Sequence, residues 1–546
     1  MNPIRPIAEP ASLRDLVQAA LHIPKGLHSL AWAQPEGRLP RLGRAALVLL
    51  AASTITACTV GPDYEAPVPA APEAFSSQAT VEQAADEAIE GPAPDTRWWT
   101  ALGDATLAEL VDEALVHNHD LEIARARVRQ ARAQRRAAGA LGRPQVSGAA
   151  SGAVFQGSEN DPGGGPALAR AGLAELDGDI YDVGVQAGWE LDVFGGVRRA
   201  KEAADARIGA AIEGRRATLL GVVAEVAQTY TELRGAQRRR LLAEKNLGLA
   251  EQTLSRVEAR HTAGLASGLD LERSRAEVAG TRALVPPLRA DEHAAAHRLG
   301  TLVGTTPGAL RDRLLQTTPW TDPPDLVPVG LPSDLLRRRP DIRLAERQLA
   351  ASTADIGVRT ADLYPRFHLT GSGGLSSGRF ADLFESASRT WTFGPSISWP
   401  IFQGGRIRAG IEAAEASRDV AYATYQQSVL RALEEVETAL VRYAEEELRR
   451  RTLVDAAAAS AKAADLARTL YDKGLADYLV VLDAERTQTD VEDRLAQSET
   501  GVILRLVALY ASLGGGWEVT EPQTTVAVER SDAEGSALDD DTLHQG

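Results

Sequence analysis

The sequence predicts a mostly α-helical fold made of two copies of one structural repeat, each with a strand hairpin and a long coiled-coil helical hairpin. Three observations support this prediction. Two stretches of nearly seventy residues contain no proline and carry apolar residues at helical spacing. A strand-like alternation of apolar and polar residues comes before each stretch. Both features recur about 210 residues further along the chain.

The two long helices are predicted over residues 197–263 and 406–473, each ending at a single glycine, Gly264 or Gly474. At ~1.5 Å per residue each would be roughly 100 Å long, so it must pack lengthwise against other helices. A returning helix is expected over about 268–302 and again over about 477–513. The apolar seams have the same four-three spacing, with Leu219, Val223, Val226, Tyr230 and Leu233 in the first helix and Val429, Leu433, Val436, Leu440 and Tyr443 in the second.

Four strands are predicted, at about 145–157 and 181–193 in the first repeat and at about 365–375 and 391–402 in the second. The alternation suits a membrane β-barrel with a lipid-facing outside and a polar lumen. A strand of a soluble sandwich alternates identically, but the sequence offers no further strands for a second sheet. Four strands cannot close a barrel, so several protomers must share one. The predicted aromatic belt is formed by Tyr181, Trp189, Trp391 and Trp399.

Charge and cysteine content narrow the function classes. The 546 residues carry a net charge of -16, which disfavours nucleic-acid binding. The single cysteine excludes an intrachain disulfide. Cys58 follows basic residues, the apolar run 45–52 and the small residues Thr56 and Ala57, an order typical of a signal peptide with a lipoprotein cleavage site. We expect lipidation at Cys58, with a buried structural cysteine as the alternative.

These features give a domain plan. Residues 1–57 form a leader and lipoprotein signal peptide, and residues 58–97 form a lipid-anchored, proline-rich extended segment. The first repeat covers 98–310, a linker covers 311–330, and the second repeat covers 331–517. Residues 518–546 are predicted to be an acidic, disordered tail.

No pattern in the sequence predicts an enzyme or a cofactor. His293 and His297 share a helix face, but the glutamate of a metalloprotease motif and a third ligand are missing, so a solvated face is favoured over a metal site. The Gly-Gly pairs before the long helices lack the Lys-Ser/Thr of a phosphate loop.

The chain resembles the TolC-like outer-membrane factors, in particular the NodT or OprM-like lipoproteins of tripartite efflux systems. The matching motifs lie at 58–64, 98–99, 331–342, 400–406 and 479–484. The resemblance implies a homotrimer with a twelve-stranded barrel in the outer membrane and a helical tunnel in the periplasm. It also implies that the closed tip opens when a periplasmic adaptor (a membrane fusion protein) and an inner-membrane transporter dock.

The resemblance also assigns residues at the tip. Asp270, Tyr471 and Asp483 match positions that close the tip or line its narrowest ring. Val480 and Ala476 stand where relatives carry a second aspartate and an arginine, so the latch is expected to be built differently. For each residue, an exposed structural position is the alternative. The two inter-helix turns that would face the adaptor are Gly264, Leu265, Ala266 and Ser267, and Gly474, Leu475, Ala476 and Asp477.

The function expected from these features is a passive export duct for drugs or other small molecules. A type I protein-secretion duct has a similar architecture, but the lipoprotein motif and the proline-rich opening favour efflux. A periplasmic adaptor is a third alternative, which the doubled hairpin and the aromatic strands disfavour. A wide duct has no pocket that identifies its cargo, so the substrate is left open.

Overall fold

The computed structural model describes residues 59–68, 72, 74–77, 97–158, 160, 169–171, 176–316 and 338–517. The chain divides into two units, Met1–Cys58 and Thr59–Gly546, and every described residue belongs to the second. The predictions for the leader, for Cys58, for most of the linker and for the acidic tail therefore lie outside the described residues.

The first repeat begins with two helices and a strand pair that lead into a long helix. Helix α1 is capped by the side chain of Asp104 and helix α2 by that of Asn118, so the buried end of each helix keeps its first amides paired. Helix α3 begins after Gly195, whose φ of 80° favours glycine. The elements are α1 (Ala105–His117), α2 (His119–Ala140), β1 (Gln145–Gln156), β2 (Asp177–Leu191) and α3 (Gly196–Thr262).

The second repeat has the same order of elements. Helix α7 starts with proline at its first position, where a missing amide hydrogen costs nothing. Helix α8 matches α3 in length, at 67 residues each. The elements are α7 (Pro340–Ala361), β3 (Arg366–Ser377), β4 (Arg389–Ser398), α8 (Arg406–Asp472) and α9 (Tyr478–Ser512).

The returning helix of the first repeat differs from its predicted span of 268–302. It is divided at Leu284 into α4 (Gly268–Ala283) and α5 (Val285–Leu302), and the short helix α6 (Arg311–Leu314) follows. Pro286 and Pro287 cause the division, because proline has no amide hydrogen and its ring clashes with the preceding turn. The second repeat has no proline there, and α9 is continuous over 35 residues.

The strand ends differ from the predicted spans by one to four residues; β2 begins at Asp177 rather than at 181, and two of the carboxyl-terminal ends have an identifiable cause. Strand β2 stops at Leu191 rather than at 193, because the Asp192 carboxylate accepts the amides of Val197 and Arg198 and caps α3. Strand β4 stops at Ser398 rather than at 402, two residues before Pro400, which has no amide hydrogen to continue a ladder. The two long helices start or end within one residue of prediction.

The four strands form one antiparallel sheet in the order β1-β2-β3-β4. Strands β2 and β3 belong to different repeats, so their ladder joins the two halves of the chain. Pro395 lies within β4, the last strand of this sheet, opposite Leu369 of β3.

The main hydrophobic core lies where the helices of both repeats meet, away from the sheet. Trp98 and Trp99 are fully buried there, and Trp98 stacks on Tyr510 with 5.2 Å between ring centroids. The Trp98 indole donates to the Gly515 carbonyl, so the start and the end of the folded region are joined. The leucines that are fully buried in this core are Leu107, Leu110, Leu233, Leu299, Leu440, Leu506 and Leu509.

Candidate functional site

The sheet has one apolar face and one polar face. The register pairs Trp189 with Leu369 on the first face, and Phe367 with Ile397. On the opposite face the register pairs Glu190 with His368, and His368 with Ser396. Exposed aromatic and branched side chains on one face and polar ones on the other are what a wall between lipid and water requires.

The four residues predicted to form an aromatic belt lie on the apolar face, two on β2 and two on β4 or directly after it. Trp189 and Trp399 lie at the helical end of the sheet, and their indoles donate to the carbonyls of Gly142 and Leu363 at 3.0 and 3.1 Å. Tyr181 and Trp391 each lie eight residues nearer the other end. At 3.2–3.4 Å per residue the two aromatic residues of each strand are about 26 Å apart along the strand. With the ~40° tilt of outer-membrane strands this is about 20 Å along the membrane normal, which fits within an apolar band about 25 Å tall.

Across the part of the chain that the structure describes, no helix combines the length and the hydrophobicity needed to cross a bilayer.

An extended segment fastens the start of the described chain to the first long helix, a feature that sequence reasoning missed. The Arg199 side chain is buried, with 3% of its surface exposed. Its guanidinium donates to the carbonyls of Val60 and Gly61 and to the carboxylates of Asp63 and Glu202. The only sequence signal was the glycine in the motif at 58–64, since a Cβ on Gly61 would lie 2.4 Å from Gly357 Cα.

The same segment also contacts the second repeat. The Tyr64 hydroxyl donates to Glu346 at 2.9 Å, and the amides of Ser76 and Ser77 donate to Glu437. Phe75 is buried in the main core. The amide of Val60 donates to the Phe194 carbonyl, which places the beginning of the segment at the junction of sheet and helix.

The tip turns of the two helical hairpins have the same geometry. Gly264 and Gly474 have φ values of 76° and 73°. The amides of Leu265 and Leu475 close the turns onto the carbonyls of Arg260 and Leu470, both at 2.8 Å. Both leucines are exposed, at 69% and 71%. Ala266 and Ala476 are half-buried, while Ser267 and Asp477 are exposed helix caps.

The Asp270 side chain takes part in the amino-terminal cap of α4. Its carboxylate accepts the amide and the hydroxyl of Ser267, while the Asp270 amide donates to the Ser267 hydroxyl. This reciprocal pair fixes the start of α4. The assignment of Asp270 to the gate is not tested by this geometry, but within one protomer the carboxylate holds its own hairpin.

Tyr471 lies between the two hairpins. Its hydroxyl is buried and has no hydrogen-bond partner among the described residues. The Arg260 guanidinium lies 4.6 Å from the centre of the Tyr471 ring and donates to the Tyr471 carbonyl. Burial raises the pKa of the hydroxyl; Arg260 opposes this rise and Asp270 adds to it. The tyrosine therefore stays neutral near pH 7.

Further contacts connect the hairpins beside this tyrosine. Arg256 approaches Asp472 at 3.7 Å, and Arg486 pairs with Glu277 at 2.7 Å. The Asp483 side chain takes part in none of these contacts and is exposed on α9. Its backbone carbonyl accepts a hydrogen bond from the Thr487 hydroxyl. Its proposed role in a ring across a symmetry axis stays a prediction.

His293 and His297 lie on α5, half-buried and exposed respectively. The rings of His293 and His297 lie 6.3 Å apart on α5. Within the described ranges, no group of three or more histidine, cysteine or acidic side chains is arranged to hold a metal ion.

Comparisons with known proteins agree with this geometry. The family described as outer membrane efflux protein matches residues 110–305 and 331–515. The chain is 35% identical to outer membrane protein OprJ of Pseudomonas aeruginosa over 494 residues, which cover 88% of this chain and 97% of that protein. It is 33% identical to the solvent efflux pump outer membrane protein SrpC of Pseudomonas putida, covering 87% and 99%.

Solved structures give the same result. The outer-membrane channel OprN superposes with a TM-score of 0.77 at 39% identity, covering 84% of this chain and all of that one. The transmembrane channel protein CusC gives a TM-score of 0.73 at 29% identity with the same coverage. The chain thus belongs to the outer membrane efflux protein family, with the TolC-like fold and the outer-membrane location of these channels.

Proposed function

We propose that three copies of this chain form one duct through the outer membrane and that the duct is the exit channel of a tripartite efflux pump. The four-stranded sheet carries the proposal. Its outer strands, β1 and β4, each have one edge without a partner in the described chain. Lipid does not tolerate open strand edges, so the edges must pair between protomers. Three sheets of four strands give a twelve-stranded barrel.

The helices would continue the duct into the periplasm and meet an adaptor protein at the tip. The exposed leucines Leu265 and Leu475 support this part of the proposal, because both turns present the same apolar residue in the same backbone geometry. Leu269 and Leu479 repeat the match one turn later, at 59% and 53% exposure. An inner-membrane transporter would supply the energy, and this chain would act as a passive duct rather than as an enzyme.

Lipidation at Cys58 would anchor the chain in the same membrane. Thr59 follows that cysteine and packs against Gly195, where an added Cβ would lie 2.9 Å from the Thr59 methyl. This contact lies at the junction of sheet and helix, beside the level of Trp189 and Trp399. Labelling with radioactive palmitate should mark the wild type and not Cys58→Ser; equal labelling would show that the cysteine carries no lipid.

The cargo proposed is a drug or another small molecule. SrpC is described as part of a solvent pump and CusC as part of a cation efflux system, so relatives differ in what they export. The two proposed repeats, 98–310 and 331–517, would form the duct wall, and their tips would set when it opens.

Efflux measurements in cells test this function. A strain without its own exit channel should regain export of a fluorescent dye when this chain is expressed with its adaptor and transporter. Leu265→Glu together with Leu475→Glu should abolish export, because charges replace the apolar docking residues while the turns remain intact. Glutamate at Val116, which is exposed on α1 away from both the sheet and the tip, is the control. Equal export by the tip variant and the control would contradict docking at the tip.

A further inference from the structure

A charged groove lies between the two long helices. It has a volume of about 780 Å³ and is bounded by α3, by α8, by the first turn of α7 and by the end of α9. Five α3 residues line it; Ala217, Gly221 and Ala224 are small and lie between the larger Leu220 and Gln228. The small residues leave room for a solute several atoms across.

Arginines dominate the charge of this groove. Its lining includes four arginines and three carboxylates, namely Arg339, Arg431, Arg442, Arg505, Asp341, Glu434 and Glu435. Arg339 is already paired with Asp341 and Glu435, both at 2.7 Å. Within the described part of the chain, the other three arginines have no carboxylate at ion-pair distance. Three exposed guanidinium groups therefore share the groove with one free carboxylate, Glu434.

Two of these arginines lie at a common level on adjacent helices. Arg339 donates to the Ser512 carbonyl and pairs with Glu435, so these two residues of α9 and α8 lie at one level. Because α8 and α9 form an antiparallel hairpin, seven residues along each helix lead to a second common level, about 10 Å away. Arg442 of α8 and Arg505 of α9 lie at that level. Two like charges on adjacent helices repel each other unless an anion lies between them.

Arg431 extends this arrangement along the groove. It precedes Arg442 by eleven residues, which is close to three helical turns and about 16 Å. The two side chains consequently point from the same face of α8. The groove thus presents guanidinium groups at two levels, and each group can bind a carboxylate or a phosphate through two parallel hydrogen bonds.

We propose that this groove is a binding site for small organic anions that carry two or more carboxylate or phosphate groups. The carboxylate or phosphate groups pair with Arg442 and Arg505 at one level and with Arg431 at the other. The small residues of α3 accommodate the carbon skeleton. Glu434 repels anions and therefore lowers their affinity for the groove.

The place of the groove in the duct rests on the proposed trimer. On α3 the core residues Leu219 and Val223 lie on the face opposite Gly221, and helix α1 packs on that core side. A helix placed inside a duct would obstruct it, so α1 must lie on the outside of the wall. The groove is on the opposite face of α3 from α1, so it must open to the lumen. Three protomers would then place nine unpaired arginines around the path of the exported solute.

Calorimetry on the purified full-length protein in detergent tests the site with citrate and with inorganic phosphate. Citrate should bind saturably and more tightly than phosphate, because it reaches several arginines at once. Arg442→Gln with Arg505→Gln should weaken citrate binding at least tenfold, and Glu434→Gln should strengthen it. The control is Arg129→Gln with Arg136→Gln, two exposed arginines of α2 that should leave the affinity unchanged.

The outcomes separate this inference from the proposed function. Equal citrate affinity in the wild type, the groove variant and the control would overturn the site, whether or not the protein conducts. Saturable binding that only the groove variant loses would support it even in a preparation that fails to form channels. Arg442→Lys with Arg505→Lys keeps the charge, and intermediate affinity there would show that the guanidinium forks contribute beyond charge; affinity unchanged from wild type would contradict paired hydrogen bonding.

Discussion

The two repeats are alike at the sheet and differ at the tip. Near the sheet, Trp189 and Trp399 make the same indole bond to equivalent carbonyls. At the tip, Ser267 and Asp270 form a capping box in the first repeat, while the equivalent pair in the second is Asp477 and Val480, with no side-chain cap. At the tip the repeats therefore share the turn geometry and differ in the cap of the helix that follows the turn.

A second difference lies between these ends. Arg199 binds the extended segment in the first repeat, and the corresponding residue in the second is Ala409. The returning helix is divided at Leu284 in the first repeat and continuous in the second. The first hairpin is thus the one joined to the amino-terminal segment and interrupted by proline.

The largest effect is expected from Arg199→Ala. The change removes several hydrogen bonds of a buried guanidinium and should weaken the docking of residues 59–68 by about 2 kcal/mol. The loss is not larger because the Asp63 partner is largely exposed to solvent. Cleavage of that segment by a broad-specificity protease should become about thirtyfold faster. Arg408→Ala, next to the equivalent position in the second repeat, is the control. Similar cleavage rates in both variants would contradict an attachment of the segment that depends on Arg199 of the first repeat.

The turns should respond equally in both repeats. Gly264→Ala and Gly474→Ala each force a Cβ into a left-handed conformation, which costs about 1–2 kcal/mol. Hydrogen exchange at the amides of Leu265 and Leu475 should rise by about tenfold in the respective variant. A strong response in only one variant would show that the two turns do not have the same role.

The helix caps should respond unequally. Ser267→Ala removes a capping box and should destabilise the first turn of α4 by about 1 kcal/mol. Asp477→Ala removes no side-chain bond and should have almost no effect on α9. Hydrogen exchange of the first-turn amides measures both. Equal exchange in the two variants would mean that the capping difference has no consequence at the tip.

The smallest structural effect, and a specific functional one, is expected from Asp483→Ala. The side chain is exposed and takes part in none of the contacts between hairpins, so trimer formation should not change. Three carboxylates facing one another in a trimer would focus a negative potential, so the variant should lose cation selectivity and block by divalent cations in bilayer recordings. Val480→Asp should increase both. Unchanged selectivity in both variants would place the constriction elsewhere.

Much of the fold could be predicted from the sequence because periodicity reports it directly. The spacing of Val223 and Val226, and the alternation around Trp189, reflect burial on one face of a helix and of a strand. The attachment of the extended segment to Arg199 could not be predicted, because it depends on contact between residues more than 130 positions apart in the sequence. The capping role of Asp270 could have been predicted from the sequence, since Ser267 and Asp270 have the three-residue spacing of a capping box.

Cross-linking between the edge strands tests the central claim most directly. Cysteines introduced at Ala150 in β1 and Phe393 in β4 lie on the two outer strands of the sheet, where each protomer would meet its neighbours. A short bifunctional thiol reagent should convert this double variant in membranes to a covalent trimer, while the same pair placed at Val185 and Gly373, on the adjacent inner strands, should give only monomers. Covalent dimers without trimers, or identical products from both pairs, would contradict a barrel shared by three protomers.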